Sequence, residues 1–149
     1  MLLNEQNTVL SAALPLAEFK DHLALGTGFA DDGAQNNLLD AYLRSAIAAI
    51  ETRTGKVLIE KSYMLSLSAW REPNRQPLPL APVSSVDAIR VLDLVGQASV
   101  VDPARYRLET DAQRPVLWAT TGNLPSIATG GLIEVDLLAG YGPAWSDVP

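Results

Sequence analysis

The chain contains no cysteine and a single histidine, His22, among its 149 residues. Without cysteine it can form neither a disulfide framework nor a thiolate metal site, which favours a reducing compartment. A zinc site built around one histidine would take its other ligands from carboxylates, and no HExxH spacing is present. We therefore expect an ordinary surface or half-buried role for His22 and predict no metal-binding residue.

Long apolar runs are also missing. No run approaches the roughly 18 apolar residues that a membrane span needs. The first 19 residues carry no basic side chain and include Glu5, a composition unlike that of a signal peptide. These absences predict a protein without a membrane partner.

Basic side chains are few and scattered. There are 11 Lys and Arg against 17 Asp and Glu, which gives a net charge of −6. Proteins that bind nucleic acid tightly usually carry a cluster of Lys and Arg that displaces counterions from phosphates. Direct DNA binding is therefore not expected, although folding could gather distant basic residues into one patch.

No motif of catalysis or cofactor binding stands out. The chain has no GxSxG and no Walker loop. Residues 26–28 (GTG) are a fragment of a dinucleotide fingerprint without its third glycine, and a connector is the better interpretation. Asp31 and Asp32 lack the spacing of a calcium loop and are better explained as caps of a helix. We predict no catalytic residue, no cofactor and no enzymatic activity.

The stretch from Asp31 to Trp70 predicts one long helix followed directly by one long strand. Asp31 or Asp32 can cap the start of the helix, and Gly55 is suited to its end. Beyond Gly55 the apolar period changes from about 3.6 to 2. The helix stripe predicted to be buried is Leu39, Leu43, Ala46, Ile47 and Ile50, and the buried face of the strand is Val57, Ile59, Tyr63, Leu65 and Leu67.

The rest of the chain predicts a second, shorter helix and several short strands. Residues 15–23 form the helix, with Pro15 at its first position. Residues 71–82 contain four prolines and are expected to be extended against the sheet. Strands are predicted around residues 86–92, 100–101, 106–108, 115–119 and 132–140, with a hairpin turn at residues 93–96.

These elements give an α+β fold in a single domain, residues 1–149. An N-terminal helix-loop-helix, residues 15–55, is expected to pack on an antiparallel sheet or small barrel of short strands, residues 57–142. The tail, residues 143–149, resembles the start of a further helical segment that the chain given does not contain.

Aromatic residues and prolines supply the candidates for protein contacts. Trp118 lies inside an apolar strand and is expected in the core, whereas Trp70 and Trp145 lie where regular structure gives way to Pro-rich chain. An extended Pro-rich arm can also supply a contact patch. The candidate interface residues are Trp70, Pro73, Pro77, Tyr141 and Trp145.

The order of these features resembles a known family. The likeness rests on residues 16–23 (LAEFKDHL), Asp31 and Asp32, residues 46–56 (AIAAIETRTGK), residues 68–70 (SAW), residues 78–86 (LPLAPVSSV), Ile89, Asp93, Gly96, Tyr106 and residues 139–142 (AGYG). This pattern is similar to that of the head-tail connector, or adaptor, proteins of long-tailed double-stranded DNA phages and gene transfer agents.

The resemblance implies a structural role at the neck of a particle assembled in the bacterial cytoplasm. Such proteins form a twelve-fold ring between the portal protein and the next neck or tail protein, and DNA passes through without sequence-specific binding. An acidic subunit suits such a channel, because a negative wall does not hold phosphates. The alternative from the residues alone is a monomeric ligand-binding or protein-interaction β domain, with Trp70 or Trp118 lining a pocket.

Overall fold

The computed structural model describes residues 1–23 and 33–149. Within this part of the chain, two α-helices and eight strands form an α+β fold, as predicted. The helices are α1 (Leu16–His22) and α2 (Gly33–Thr54). The strands are β1 (Leu2–Glu5), β2 (Lys61–Leu67), β3 (Arg75–Pro77), β4 (Val83–Leu92), β5 (Ala98–Val100), β6 (Tyr106–Glu109), β7 (Val116–Ala119) and β8 (Leu132–Ala139).

The strands form two antiparallel sheets. One has five strands in the order β1-β2-β8-β4-β5, and the other has three in the order β3-β7-β6. Neither sheet closes into a barrel within the described residues. Of the two predicted alternatives, an antiparallel sheet or a small barrel, the sheet is therefore the correct one. Alternation of apolar and polar residues along β2 and β8 explains the arrangement, because one face of each strand must be buried.

The main core lies between the two sheets. Leu65, Ile133 and Val135 from the five-stranded sheet and Leu117 from the three-stranded sheet are completely buried in it. The Pro-rich segment belongs to this core as well, since β3 pairs with β7 and Leu78 is buried. The extended conformation predicted for residues 71–82 is therefore confirmed at β3.

Helix α2 is anchored in a second, smaller cluster beside the sheets. Ile47 of α2 packs there with Leu14, Leu58 and Ile59. The helix ends where Gly55 adopts a positive φ of 66°, as its position predicted. Because the helix contacts a narrow cluster and not a broad sheet face, only part of its predicted stripe is covered.

Two residues of that stripe are consequently misassigned. Leu39 and Ile47 are buried and Leu43 is half-buried, but Ala46 and Ile50 are exposed. The predicted strand also begins later than expected, at Lys61. Val57 and Ile59 are buried, yet Ile59 makes only an isolated bridge with Gly142.

Strand β1 was not predicted from the sequence. Its residues pair with β2, with Leu3 opposite Leu65, and only Leu3 is packed against the main core. A single inward side chain produces no alternation that could be recognised. Residues 26–28, Asp31 and Asp32, which were interpreted as connector and helix cap, lie outside the described residues.

Neither described helix is long and apolar enough to cross a membrane. Among the described residues, no group of three or more His, Asp or Glu side chains could hold a metal ion.

Candidate interaction surfaces

Three of the predicted contact residues lie in or shortly before β3. The indole Nε1 of Trp70 donates a hydrogen bond of 2.8 Å to the carbonyl oxygen of Pro125, so the ring is fixed at the edge of the main core. Trp70 and the exposed Pro73 line a shallow depression of about 290 Å³ with Ile127. Pro77 is exposed at the end of β3.

The other two predicted contact residues support α2. Tyr141 and Trp145 are half-buried and pack against the cluster that contains Ile47, Leu58 and Ile59. The backbone around Tyr141 is held closely: Tyr141 N–H donates to the carbonyl oxygen of Leu58 at 3.2 Å. These two aromatic residues therefore stabilise the apolar cluster through which α2 packs on the rest of the molecule.

The expectation that Trp118 is a core residue is wrong. Its neighbour Leu117 points into the core, so Trp118 faces outward on the three-stranded sheet. The guanidinium groups of Arg75 and Arg107 lie 5.4 and 5.6 Å from the centre of its ring, one from each flanking strand. Its indole Nε1 donates to Glu109 at 2.5 Å. The half-buried ring of Trp118 thus makes a cation–π contact with an arginine from each neighbouring strand.

A charged cluster connects α2 to the five-stranded sheet. Lys61 Nζ donates to Glu51 at 3.0 Å and lies 3.4 Å from Glu5. Glu51 also accepts a 2.8 Å hydrogen bond from Leu58 N–H. Burial opposes the charge of Lys61, but its hydrogen bond with Glu51 and the nearby negative groups outweigh that effect and raise its pKa.

Beside this cluster lies a cavity of about 240 Å³ under α2. Val9, Leu14, Ile47 and Ile59 form its apolar wall. Arg44 borders it and is held by Asp40 at 2.7 Å and by the carbonyl oxygen of Val9 at 2.8 Å. The N-terminal segment is thereby fastened to the helix, and the charged groups at the rim are occupied by one another.

The solvent-facing side of α2 carries an exposed apolar patch that the sequence analysis missed. Its members return every three or four positions, which places them on one face opposite Ile47. Leu38 and Tyr42 are 53% and 58% exposed. We call this surface the helix patch; it consists of Leu38, Ala41, Tyr42, Ala46 and Ala49.

A second exposed apolar patch lies at the hairpin between β4 and β5. Leu94 is 73% exposed and Val95 86%. On the adjoining strands, Val100 of β5, opposite Arg90, and Leu132 of β8, opposite Leu92, are also exposed. We call this surface the hairpin patch; it consists of Leu94, Val95, Val100 and Leu132.

A signal for the helix patch was present in the sequence. Asp40, Arg44, Glu51 and Arg53 are the only charged residues between positions 33 and 54. A helix with so little charge and apolar residues on both faces is expected to be covered on both faces. No comparable periodicity marks the hairpin patch, because its members come from different strands.

The chain was also compared with known proteins. No protein-family model and no curated protein matches it. Solved structures do match. A chain in the neck of an empty gene transfer agent particle, computed with C6 symmetry, is 51% identical with a TM-score of 0.94; the match covers 100% of this chain and 76% of that one.

Two further structures agree. A chain in the virion of a native gene transfer agent particle is 51% identical with a TM-score of 0.91, covering 100% of this chain and 76% of that one. A chain in the neck of a native particle computed with C12 symmetry is 47% identical with a TM-score of 0.87, covering 100% and 75%.

Proposed function

The chain belongs to the family of neck proteins found in gene transfer agent particles, and we propose that it is the adaptor subunit of such a neck. As an adaptor it forms a ring that joins the portal protein to the next neck or tail protein. Its role is structural: it contributes shape and contact surfaces, and no group of it takes part in a reaction.

The observation that carries this proposal is the likeness over the full chain to a neck computed with C12 symmetry. Twelve-fold symmetry agrees with the ring that the sequence resemblance implies. A neck computed with C6 symmetry is compatible with the same ring, because six is a factor of twelve. We therefore propose twelve copies around the particle axis.

The charge of the chain fits a passage for DNA. Each copy contributes a net charge of −6, so twelve copies surround the channel with acidic protein. A wall of this sign does not retain phosphates, and DNA can pass without sequence-specific binding. A ring whose bore is lined mainly by Lys and Arg would remove this part of the proposal.

The predicted contact residues are proposed to act in two ways. Trp70, Pro73 and Pro77 lie at or near the surface around β3, where a portal or tail protein can reach them. Tyr141 and Trp145 act from beneath, because they hold the anchor of α2. Substitution of the first group should weaken contacts directly, and substitution of the second should do so by displacing the helix.

Deletion of the gene in the cells that encode this chain tests the proposal. We expect filled or emptied heads without tails in electron micrographs, and restoration of tailed particles when the chain is supplied again. Normal tailed particles in the deletion strain would overturn the proposal. Isolation of a monomer that binds a small molecule and does not associate with portal-containing heads would favour the ligand-binding alternative.

A further inference from the structure

We propose that neighbouring copies in the neck ring join head to tail, with the helix patch of one copy packed against the hairpin patch of the next. This inference rests on the proposed ring. It assigns to specific surfaces the contact between copies that the ring requires.

The helix patch has the composition of a buried surface. Tyr42 and Leu38 expose large apolar side chains, and the alanines of the patch leave room for a partner to approach closely. Three of the four charged residues of α2 are paired away from the patch, because Arg44 holds Asp40 and Glu51 holds Lys61. The fourth, the exposed Arg53, lies one turn beyond Ala49 at the end of the patch. An apolar face of this kind on an exposed helix marks a site of protein contact.

The hairpin patch is held in a fixed shape. The carboxylate of Asp93 accepts hydrogen bonds from Val95 N–H at 2.9 Å and from Gln97 N–H at 2.8 Å. Asp93 N–H in turn donates to the carbonyl oxygen of Gln97 at 3.1 Å. Leu94 lies over Gly130, where a side-chain carbon would clash with its Cδ2 at 2.6 Å. The turn therefore presents Leu94 and Val95 in one arrangement, which lowers the entropic cost of docking.

The two patches lie at opposite ends of the central strand β8. Leu132, at its first position, belongs to the hairpin patch and pairs with Leu92. Ala139, at its last position, pairs with Lys61, which holds α2 through Glu51. Seven residue steps separate these positions, a distance of about 23 Å along the strand. One copy can thus contact two neighbours on two sides.

A closed ring needs this arrangement. Its repeated contact joins two different surfaces of the same chain, which must complement each other. The helix patch and the hairpin patch are both apolar, and the acidic side chains beside the hairpin patch are paired. Asp93 accepts hydrogen bonds within its turn, and Arg90, opposite Val100, holds Asp136 at 2.7 Å and Glu134 at 3.4 Å. Because each copy is acidic overall, an interface between copies should avoid unpaired acidic groups, and these two surfaces meet that condition.

Disulfide capture in assembled particles tests the inference, and the absence of native cysteine makes the chain suited to it. We would place one cysteine in each patch, as Leu38→Cys or Tyr42→Cys combined with Leu94→Cys or Val95→Cys. Particles carrying each of the four double variants are purified, oxidised or treated with a short thiol crosslinker, and analysed on denaturing gels. We expect at least one pair to give a ladder of covalent oligomers larger than dimers.

The matched controls separate head-to-tail packing from other contacts. Each single-cysteine variant should stay monomeric on the gel. Tyr42→Cys combined with Gln113→Cys, an exposed position between β6 and β7, should stay monomeric as well. Dimers from Tyr42→Cys alone would indicate helix-to-helix contact, and a ladder from the Gln113 pair would place the helix patch elsewhere; either result overturns the inference.

The same gels distinguish the two levels of the proposal. If the chain is present in purified particles but none of the four pairs forms oligomers, the assignment of surfaces is wrong and the neck role stands. If the wild-type chain is missing from purified tailed particles, the proposed function itself is wrong.

Discussion

Lys61 Nζ donates a hydrogen bond to Glu51 across 3.0 Å and thereby joins the first residue of β2 to the last turns of α2. Both side chains are mostly buried, with 10% and 14% of their surface exposed. Together with the small apolar cluster around Ile47 and the hydrogen bond of Arg44 to Val9, this ion pair fixes where the helix lies. The position of the helix patch depends on it.

Removal of the lysine should therefore destabilise the fold. In Lys61→Met the carboxylate of Glu51 stays buried without its cation, which costs about 3 kcal/mol. The free energy of unfolding measured with urea gives the value. Arg53→Met, which removes the same charge from an exposed position of α2, should change it by less than about 0.5 kcal/mol.

A double variant and a pH series check the cause. Glu51→Gln with Lys61→Met keeps an acceptor for Leu58 N–H but removes both charges, and should recover at least half of the loss. Because the pKa of Lys61 is raised in the folded state, its contribution is complete below the unfolded value of about 10.4 and is lost as pH rises through the folded value. The difference in free energy of unfolding between wild type and Lys61→Met should be constant from pH 7 to 9 and shrink as the pH rises above about 10.4.

Gly140 is expected to tolerate no side chain. It has a φ of 137°, and a Cβ there would lie 2.4 Å from the Cα of Glu60. Gly140→Ala should lower the free energy of unfolding by roughly 3 kcal/mol or more, since backbone must move. Gly122→Ala, with φ 63° and open space around it, should cost only about 1 kcal/mol. Equal losses in thermal or urea unfolding would contradict the close approach.

Adjacent residues of β7 should respond very differently to truncation. Leu117→Ala removes a completely buried side chain and should cost about 3 kcal/mol. Trp118→Ala removes a ring that contacts two arginines on the outer face of the sheet, and should cost about 1 kcal/mol. Urea unfolding of the two variants provides the measurement, and a larger loss for Trp118→Ala would show that the ring belongs to the core after all.

Loss of the Asp93 carboxylate should loosen the hairpin without unfolding the domain. Asp93→Ala leaves Val95 N–H and Gln97 N–H without their acceptor. Hydrogen exchange of these two amides, followed by NMR, should quicken, while that of Val135 in β8 stays as in wild type. Unchanged exchange at Val95 and Gln97 would contradict the fixed shape of the hairpin patch.

The sequence was most informative where a regular repeat of apolar residues is long and marks one face of a helix or strand. Alternation identified β2 and β8, and the Gly55 signal ended α2 at the correct place. The sequence was least informative about which residues of a helix or strand are covered by the rest of the molecule. Ala46 and Ile50 have the spacing of buried residues, yet the anchor of α2 is too narrow to reach them.

The prediction that Trp118 lies in the core failed for a related reason. In a short strand of apolar residues both faces look alike, and the choice between Leu117 and Trp118 as the inward residue depends on register with β3 and β6. The arginines that flank the ring come from those two strands, so no local pattern could associate them with it.

The most direct test of the neck assignment is a cryo-electron microscopy reconstruction of the particles made by the cells that encode this chain, focused on the neck and resolved well enough to trace side chains. We expect twelve copies of this sequence in one ring directly below the portal, with Trp118 and Tyr42 recognisable in density. A neck traced completely with other sequences, and no density that this chain fits, would contradict it.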